Sequence, residues 1–599
     1  MNGEQRRLGP IGTVVRLRSA WRRLAPFFRG TASGLTLLIV LSVLTGLVEA
    51  SLLALIATMA VSLAEGGGSL ALDIGPLGLE LERSTAFIVA LGLALFRTAL
   101  QLALARVPAQ MSARMLSELR VQLFESFTAS AWPVKARERD GAFQTLMTQN
   151  STNTAGAVIH LGLGLTALIM FVVMTIAAFM QSAAAAAVFM VTAVVLFFTL
   201  RPLSRRLRRN AKQLSEQGMS FTNTVQEVVQ VAEETEVFGA TESYRAAFGE
   251  QAEAVRRPHA RTRFLAVAVP ALYQSVALIL LVVSLIAMAV SGASQLAAMA
   301  AVILMLIRAL TYAQQLQTSL ASIDERIPYM NQLVDALERY RSSPQQSGTE
   351  DIGRIDHLAL SQLSFAYTPG REVLHDVSFE VSRGQAVGIV GPSGAGKSSI
   401  VQILLRLREP GGGALLANGV DARTITRRDW QRKVAYVPQT SQVIWGTVRE
   451  NIRFNREWIS DEAVEAAARR AHIHDDIDSW PQGYDTVIGQ RASAVSGGQR
   501  QRICLARALA GEPEVLILDE PTTALDVRSE ELVQASLEGI KPDTIMVLVA
   551  HRLSTLSLCD WIVVVVDGRV SAVGSQADLK VRSDFFREVS EITARQAES

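Results

Sequence analysis

Cysteine is nearly absent from this sequence: the 599 residues include two, Cys504 and Cys559, which are far apart and have no metal-ligand spacing around them. A disulfide framework is therefore not expected, and the scarcity fits a reducing cytosolic compartment. A basic excess is also lacking, because 58 Lys and Arg against 56 Asp and Glu leave a net charge of +2. No basic stretch carries interleaved aromatic residues, so we expect no nucleic-acid partner.

Charge is scarce in six long apolar stretches, most of them near the ~20 residues that a helix needs to cross a bilayer. The predicted spans are 35–63, 86–107, 155–180, 183–200, 264–290 and 297–316. An even number of spans places both termini on the same side of the membrane. The two long connections, 108–154 and 201–263, retain apolar residues at helical spacing, so we expect them to continue the spans as helices beyond the bilayer.

Lys and Arg are concentrated on one side of this pattern. The N-terminal arm, residues 1–30, and both long connections are basic, whereas the loop 64–83 carries four acidic residues and one Arg. Because positively charged loops stay in the cytoplasm, this side and the C-terminal half are predicted to be cytoplasmic. The chain is thus expected to be a multi-pass integral protein of the lipid bilayer, in the inner (plasma) membrane of a bacterium.

Three charged residues lie well inside the predicted spans, away from their ends: Glu49, Arg97 and Arg308. Charges within a membrane segment usually face the interior of the helix bundle, where they line a substrate path or pair with one another. One interpretation is contact with a polar or anionic substrate group. The other is an internal ion pair, or Arg side chains reaching for the interface, that only orients the helices. The residues alone leave both open.

A segment rich in Ser, Pro, Gly and Gln, 339–350, separates the apolar half from the rest and is predicted to be a linker. It divides a transmembrane domain, 31–338, from a soluble domain, 351–599. In the soluble domain the sequence pattern changes, and short apolar runs alternate with segments of helical periodicity.

A phosphate-binding loop follows the first of these apolar runs. The run 386–390 is predicted to be a buried strand, and Gly-Pro-Ser-Gly-Ala-Gly-Lys-Ser-Ser then leads into a helical pattern. Its glycines allow backbone N–H groups to surround phosphate oxygens, and the helix N-terminus adds positive potential. Lys397 would neutralise the β- and γ-phosphates and the Ser398 hydroxyl would ligate Mg²⁺. The predicted phosphate-binding residues are Gly391, Ser393, Gly394, Ala395, Gly396, Lys397, Ser398 and Ser399.

A second apolar run ends in two carboxylates, Asp519 and Glu520. A strand that delivers an acid to a phosphate site predicts that Asp519 holds the Mg²⁺ shell. Glu520 would then accept a proton from the attacking water as general base. Together with the loop, this pair predicts a Mg²⁺-dependent nucleotide hydrolase, with a kinase or a helicase still open.

The segment Val495-Ser-Gly-Gly-Gln, followed by RQRICLARAL, resembles the signature of the ATP-binding cassette (ABC) ATPases. The family usually has Leu at the position of Val495 and often has Gly at that of Ala492. The resemblance covers the whole chain: a membrane domain of six spans with long extensions precedes the cassette. The segments GTVRENI at 446–452 and GQRASAVSGGQRQRI at 489–503 look more like exporters than importers, so the chain resembles an exporter-type half-transporter.

The resemblance implies an all-α six-helix transmembrane domain with long cytoplasmic extensions, joined to an α/β P-loop ATPase domain. It implies that Tyr367 stacks on adenine and that Gln439 senses the γ-phosphate and Mg²⁺. It also implies that His551 contacts the γ-phosphate and acts in catalysis with Glu520 and Lys397. The residues that it assigns to the nucleotide of the other subunit are Ser496, Gly497, Gly498, Gln499 and Asp526.

The function implied is ATP-driven export by alternating access, with ATP and Mg²⁺ bound between two such chains. A homodimer is expected because both half-sites look competent, and a heterodimer stays open. The cargo expected is an amphipathic or lipid-like molecule taken from the cytoplasm or the inner leaflet, because the spans carry few charges. Alternatives are a small-peptide or lipid-linked-glycan exporter or flippase, an importer with the exporter fold, and an ATP-gated regulatory protein without cargo. A soluble ABC ATPase acting on DNA or ribosomes is disfavoured by the six spans.

Overall fold

The computed structural model describes residues 32–65, 69–74, 77–138, 141–181, 225, 228–229, 231–291, 296–489, 495–522, 525–550, 553–588 and 590–591. The chain forms two compact units, one of residues 1–130 and 137–343, the other of residues 131–136 and 344–599. The fourth predicted span, 183–200, lies outside the described residues, as do His551 and Ala492. The helical first part and the α/β second part confirm the predicted fold class.

In the described residues, the N-terminal half of the chain has five long α-helices and three short ones, and the short helix at 132–135 belongs to the second unit. Along the chain they are α1 (Ala32–Glu65), α2 (Arg83–Ala129), α3 (Trp132–Lys135), α4 (Ala142–Thr145), α5 (Ser151–Gln181), α6 (Ala232–Val237), α7 (Thr241–Ser291) and α8 (Leu296–Ser342). In the described residues, three helical segments are long and apolar enough to cross a membrane: Ser33–Leu63, Ser84–Ala129 and Ala142–Gln181. They contain the first three predicted spans, and the fifth and sixth lie within α7 and α8.

Small residues bring α1, α5 and α8 together. Ala50 and Ala54 of α1 pack against Ala178 of α5 and Ala309 of α8 in one buried cluster. Small side chains let helix backbones approach closely, which is the main source of helix association in a lipid environment. This packing fixes the level at which Glu49, one residue before Ala50, enters the bundle.

The loop predicted at 64–83 contains a hairpin that the sequence interpretation missed. Strands β1 (Ser69–Ile74) and β2 (Leu77–Glu82) pair antiparallel, with Ser69 opposite Glu82 and Ile74 opposite Leu77. Apolar residues at every second position of SLALDI are the signal that was overlooked.

Two helices extend well beyond the predicted spans: α2 continues into the connection 108–154, as expected, and α8 continues past the sixth span, which was not predicted. α2 runs unbroken through Pro108 to Ala129, and α8 runs through Pro328 to Ser342. α8 thus continues into the segment predicted as linker. The reason is Tyr340, which is 1% exposed. Its ring meets Phe127 and Phe143 edge-on, and its hydroxyl donates a 3.0 Å hydrogen bond to Glu138.

The second unit contains the strands β3 (His357–Thr368), β4 (Arg371–Ser382), β5 (Ala386–Val390), β6 (Gly412–Ala417), β7 (Val420–Asp421), β8 (Val434–Val437), β9 (Gly446–Thr447), β10 (Val487–Ile488), β11 (Val515–Asp519), β12 (Ile545–Val549), β13 (Trp561–Val566) and β14 (Arg569–Gly574). A mixed six-stranded sheet has the order β14-β13-β5-β12-β11-β8, with β14 antiparallel to β13 and the rest parallel. A four-stranded antiparallel sheet has the order β4-β3-β6-β7, and β9 pairs with β10.

Helices cover the six-stranded sheet. They are α9 (Lys397–Leu404), α10 (Arg427–Lys433), α11 (Val448–Arg453), α12 (Asp461–Arg470), α13 (His474–Asp478), α14 (Gly497–Leu509), α15 (Val527–Ile540), α16 (Leu553–Leu556) and α17 (Gln576–Arg582). Every residue of β5 and β12 is buried, as expected of a parallel strand covered on both faces. The carboxyl ends of β5, β11 and β12 therefore share one edge, where the phosphate-loop and carboxylate residues follow.

Candidate nucleotide site and membrane cluster

The phosphate loop connects β5 to α9 in the predicted strand–loop–helix arrangement. Two of its glycines are required by the backbone. Gly396 has φ +102°, a left-handed conformation that residues with a side chain rarely adopt. A Cβ on Gly391 would collide with the carbonyl oxygen of Val565 in β13. The loop therefore lies tightly against the neighbouring strand and keeps the shape that a phosphate cradle needs.

Lys397 begins α9 and is buried, with 8% of its surface exposed. Its ammonium donates hydrogen bonds to the carbonyl oxygens of Gly391 and Pro392, at 2.8 and 3.0 Å. Burial lowers the pKa of Lys397, and the nearby carboxylates of Glu520 and Asp519 oppose that shift. Because its direct hydrogen-bond partners are neutral carbonyls, the ammonium charge stays available to an anion held in the loop.

Asp519 and Glu520 lie at the carboxyl end of β11, which runs between β12 and β8. The Tyr436 hydroxyl of β8 donates to Asp519 Oδ2 at 3.3 Å. Burial, together with the Asp519 charge, raises the pKa of Tyr436, so this donor stays protonated. Glu520 has φ +49°, and its amide donates to the Val549 carbonyl at 2.8 Å. Such a left-handed backbone at a residue with a side chain costs on the order of 1 kcal/mol and recurs at functional sites.

Gln439 and Glu520 are in direct contact. The Gln439 side-chain amide donates a 2.7 Å hydrogen bond to Glu520 Oε2. The sequence marked both residues for the site but did not indicate that they bind each other. The predicted base is therefore held by an amide at the sheet edge in this conformation.

The residues predicted to hold Mg²⁺ fit a hard cation. Ser398 is exposed in the first turn of α9, Asp519 ends β11 and Gln439 follows β8. A hydroxyl, a carboxylate and an amide carbonyl are oxygen donors of the kind that Mg²⁺ prefers, with phosphate and water completing the shell. In the part of the chain that the structure describes, no group of three or more His, Cys, Asp or Glu could hold a metal ion.

Tyr367 provides an aromatic surface near the loop. Its hydroxyl is 2.9 Å from Ser399 Oγ, and the Arg408 guanidinium lies 4.8 Å from its ring centre. The residue is 40% exposed, so part of the ring remains open to a planar ligand. Phe365 supports the ring edge-on at 4.9 Å.

The signature residues begin α14 with an open N-terminus. The Ser496 hydroxyl accepts from the Gln499 amide, and the Gln499 side chain accepts from the Ser496 amide. Ser496 and Gly497 are exposed, whereas a Cβ on the buried Gly498 would collide with Ser529 Oγ. Asp526 caps α15 by accepting from the Ser529 amide at 2.9 Å.

Val495, where the resemblance expects Leu, is 8% exposed and joins the apolar core beneath α14, so the departure preserves an apolar anchor. Within the helix, Gln501 donates to the carbonyl of Pro521, which follows Glu520. The signature helix is thereby joined to the segment after β11. The hydrogen bonds of Ser496, Gln499 and Asp526 are made within this region and not with the phosphate loop.

Asp476 is a residue that the sequence interpretation missed. From α13 it accepts hydrogen bonds from Gln499 Nε2 at 3.0 Å and from an Arg502 guanidinium nitrogen at 2.8 Å. The Arg502 side chain is 7% exposed, so Asp476 neutralises a charge inside the domain. No sequence spacing relates Asp476 to the signature. The available signal was Arg502, because a buried guanidinium needs an acidic partner.

The three charged residues of the predicted spans come together. The Glu49 side chain is 2% exposed; its Oε2 lies 3.1 Å from a terminal nitrogen of Arg97, and its Oε1 lies 3.3 Å from Arg308 Nε. The Tyr312 hydroxyl donates to Glu49 Oε2 at 2.7 Å. The internal ion pair that the sequence left as one interpretation is thus present. Tyr312, one turn after Arg308 on α8, completes it.

The sequence profile described as ABC transporter matches residues 374–523, which include the phosphate loop, Gln439, the signature and both carboxylates. The chain belongs to the ABC transporter superfamily.

Relatives of this ABC chain include two curated bacterial proteins. It is 38% identical over 272 residues to an ATM1-type heavy metal exporter of Novosphingobium aromaticivorans, a match that covers 44% of each chain. It is 35% identical over 276 residues to a beta-(1→2)glucan export ATP-binding/permease protein of Mesorhizobium japonicum, which covers 46% of each. The chain thus spans less than half the length of the curated relatives it matches.

A solved structure extends the likeness to the membrane part. The ABC chain superimposes on a bacterial Atm1-family ABC exporter with ATP bound at a TM-score of 0.76 and 25% identity. That superposition covers 95% of this chain and 98% of the other. The helical region and the cassette thus follow one exporter fold over nearly their whole length.

Proposed function

We propose that this ABC chain is one half of an ATP-driven exporter that couples ATP hydrolysis to movement of a substrate across the membrane. The observation that carries the proposal is at one edge of the six-stranded sheet, beside the phosphate loop. There the carboxylates of Asp519 and Glu520 interact electrostatically with the buried ammonium of Lys397. The ATP-bound exporter of the same fold supports it. The substrates that the two relatives are named for, heavy metals and a glucan, differ from each other, so neither indicates the substrate of this chain.

Each residue of the nucleotide site takes a specific part. Lys397 and the loop amides bind the phosphates, because they combine a buried ammonium with a helix N-terminus. Ser398, Gln439 and Asp519 would hold Mg²⁺, which supplies charge neutralisation at the phosphates. Tyr367 stacks on the adenine. These assignments follow the phosphate-loop chemistry.

Glu520 accepts the proton of the attacking water. Its Oε2 is bound by the Gln439 amide at 2.7 Å, so it must exchange this bond for one to water before it acts as base. Gln439 would therefore respond to bound nucleotide, because coordination of the metal would move its side-chain amide away from Glu520. His551 would complete the site on the γ-phosphate side.

The exposed signature residues serve a second chain. Ser496 and Gly497 leave the N-terminus of α14 open to an anion, and Asp526 lies beside them through the Gly498–Ser529 contact. A homodimer would then hold two ATP molecules, each between one phosphate loop and the partner's signature. Both termini and the cassettes lie in the cytoplasm, with the helices in the inner membrane of a bacterium. The cargo is an amphipathic or lipid-like molecule.

The test is the substitution Glu520→Gln in the full chain reconstituted in liposomes. Because general-base catalysis contributes about 10²–10⁴-fold, the rate of ATP hydrolysis should fall by that order while ATP binding persists. Glu538→Gln, on the exposed face of α15, removes the same charge and should leave turnover unchanged. Normal hydrolysis by the Glu520 variant would contradict the proposal, as would a wild-type chain that binds ATP without hydrolysing it.

A further inference from the structure

One polar cluster lies inside the apolar helices of the membrane part. The Glu49 cluster comprises Glu49 of α1, Arg97 of α2, and Arg308 and Tyr312 of α8. Two guanidinium groups and one hydroxyl from two helices surround one carboxylate, and Glu49 is 1% exposed. The Tyr312 hydroxyl donates to Oε2, whereas Oε1 has no hydrogen-bond partner among the described residues. The neighbours of Glu49 include the small apolar residues Ala50 and Ala54, so the cluster is built into the packed bundle.

Among the described residues, the charges of this cluster do not balance. Two guanidinium groups face one carboxylate, and the Tyr312 hydroxyl is neutral as a hydrogen-bond donor. In the described part of the chain, Arg97 and Arg308 both form their ion pair with Glu49. An uncompensated cation among apolar helices costs free energy, so the binding of one negative charge at the cluster would be favourable.

Hydrogen-bond donors in the cluster also remain unused. Arg97 Nε is buried and has no hydrogen-bond partner among the described residues. Arg308 meets Glu49 through Nε, so this contact does not engage its two terminal nitrogens. Those nitrogens belong to the planar fork with which Arg binds carboxylate and phosphate oxygens.

The two arginines differ in access. The Arg97 side chain is 19% exposed and the Arg308 side chain 46%, whereas the carboxylate between them is 2% exposed. Glu49 therefore positions Arg308, and Arg308 presents its guanidinium to whatever enters beside α8. The cluster thus has a buried part, Glu49 with Arg97, and one exposed guanidinium, that of Arg308, which is open to a ligand.

We propose that the Glu49 cluster binds the anionic end of the transported molecule, a monoanionic amphiphile that carries a carboxylate or a phosphodiester. Arg308 makes the direct contact, and Glu49 and Arg97 are positioning residues. A single negative charge matches the excess of one guanidinium, and the apolar helices around the cluster suit the hydrocarbon part. The inference rests on the proposed transport function, because it names the cargo of that same pathway.

The experiment compares two fluorescent probes of equal chain length. The full chain in phosphatidylcholine nanodiscs is titrated with 11-(dansylamino)undecanoic acid, which is anionic at pH 8, and with its neutral primary amide. Empty nanodiscs correct for partition into lipid. A hydrogen bond to a charged group is worth enough for about a 10-fold preference, so the acid should bind at least that much more tightly than the amide.

Substitutions locate the preference. Arg308→Gln should reduce the acid-to-amide ratio to near one while leaving the amide affinity in place, and Arg308→Lys should restore part of the ratio through charge without the fork. Arg106→Gln removes an exposed charge from the same helix as Arg97 and should retain the full ratio. Thermal unfolding of each variant verifies that it is folded, and the Lys variant keeps the test valid if the Gln variant is not.

Several results would overturn the inference. A wild-type ratio near one, or a ratio that Arg308→Gln leaves intact, removes the anion site. Full displacement of the acid by millimolar acetate or inorganic phosphate shows a free-anion site and excludes an amphiphile. The probe titration needs no turnover, so a chain that lacks ATP hydrolysis refutes the proposed transport, whereas normal hydrolysis without acid preference refutes this inference alone.

Discussion

Removal of the Asp476 carboxylate tests whether this residue holds the signature helix in place. In Asp476→Ala, Gln499 loses the acceptor of its side-chain amide and Arg502 loses its counter-charge. Arg502 still donates to the His472 carbonyl, but its Nε already lacks a hydrogen-bond partner among the described residues. A nearly buried guanidinium would thus be left with one neutral hydrogen-bond partner, and the Asp526 carboxylate would remain as an opposite charge that acts on it.

The magnitude follows from burial on the two sides of the pair. Breaking a fully buried ion pair costs about 3–5 kcal/mol, because an uncompensated charge remains. The Arg502 side chain is 7% exposed but that of Asp476 is 32% exposed, so water relieves part of this penalty. We therefore expect a loss of about 2 kcal/mol in the free energy of unfolding, or ~4–8 °C in Tm for a unit of this size.

Tryptophan fluorescence during thermal unfolding of the full chain measures the effect, since five of the seven tryptophans lie within residues 344–599. Asp475→Ala is the matched control, because Asp475 is exposed on the same helix. Asp476→Asn should fall between the two, since it keeps an acceptor and loses the charge. A Tm for Asp476→Ala within about 1 °C of that of the control would refute the reasoning, because surface substitutions usually stay within ~0.5 kcal/mol.

Two further predictions concern the core of the cassette. Gly391→Ala should lower Tm by more than Gly394→Ala. The Cβ of Ala at 391 would collide with the Val565 carbonyl, and such overpacking costs about 1–3 kcal/mol, whereas at 394 the new Cβ has open space and the only cost is the left-handed backbone at φ +83°. Equal losses of Tm in a thermal scan would contradict this prediction. Burial raises the pKa of the Cys559 thiol to about 12, so at every pH well below that value the native thiol stays protonated. Iodoacetamide at pH 8 should therefore label Cys559 far more slowly in the native chain than in denaturant, and fast native labelling, detected by mass spectrometry, would contradict the burial.

The nucleotide site was predictable where its chemistry is local. The strand–loop–helix around Lys397 and the strand that ends at Asp519 are each encoded within about ten residues, because a buried parallel strand has a recognisable apolar run. The contacts between these segments were not predictable. The Gln439–Glu520 hydrogen bond and the Gln499–Asp476 hydrogen bond depend on register between elements distant in sequence.

In the membrane part, composition located the helices but not their partners. Glu49, Arg97 and Arg308 were recognised as costly charges, yet whether they pair depends on the rotation of three helices about their axes. The Tyr312 hydroxyl could equally line a polar path or mark the end of the sixth span, so its bond to Glu49 was not predictable. The hairpin β1–β2 was overlooked, because acidic residues in the segment indicated a loop.

The Glu49 carboxylate also restricts how the bundle can move. It forms ion pairs with Arg97 of α2 and Arg308 of α8 and accepts a hydrogen bond from Tyr312 of α8, while its own backbone belongs to α1. Sliding any one of these helices past the others by more than a hydrogen-bond length would strand a charge among apolar side chains. α1, α2 and α8 should therefore travel as a single rigid body, and any change of shape in the transport cycle must take place between this trio and the remaining helices.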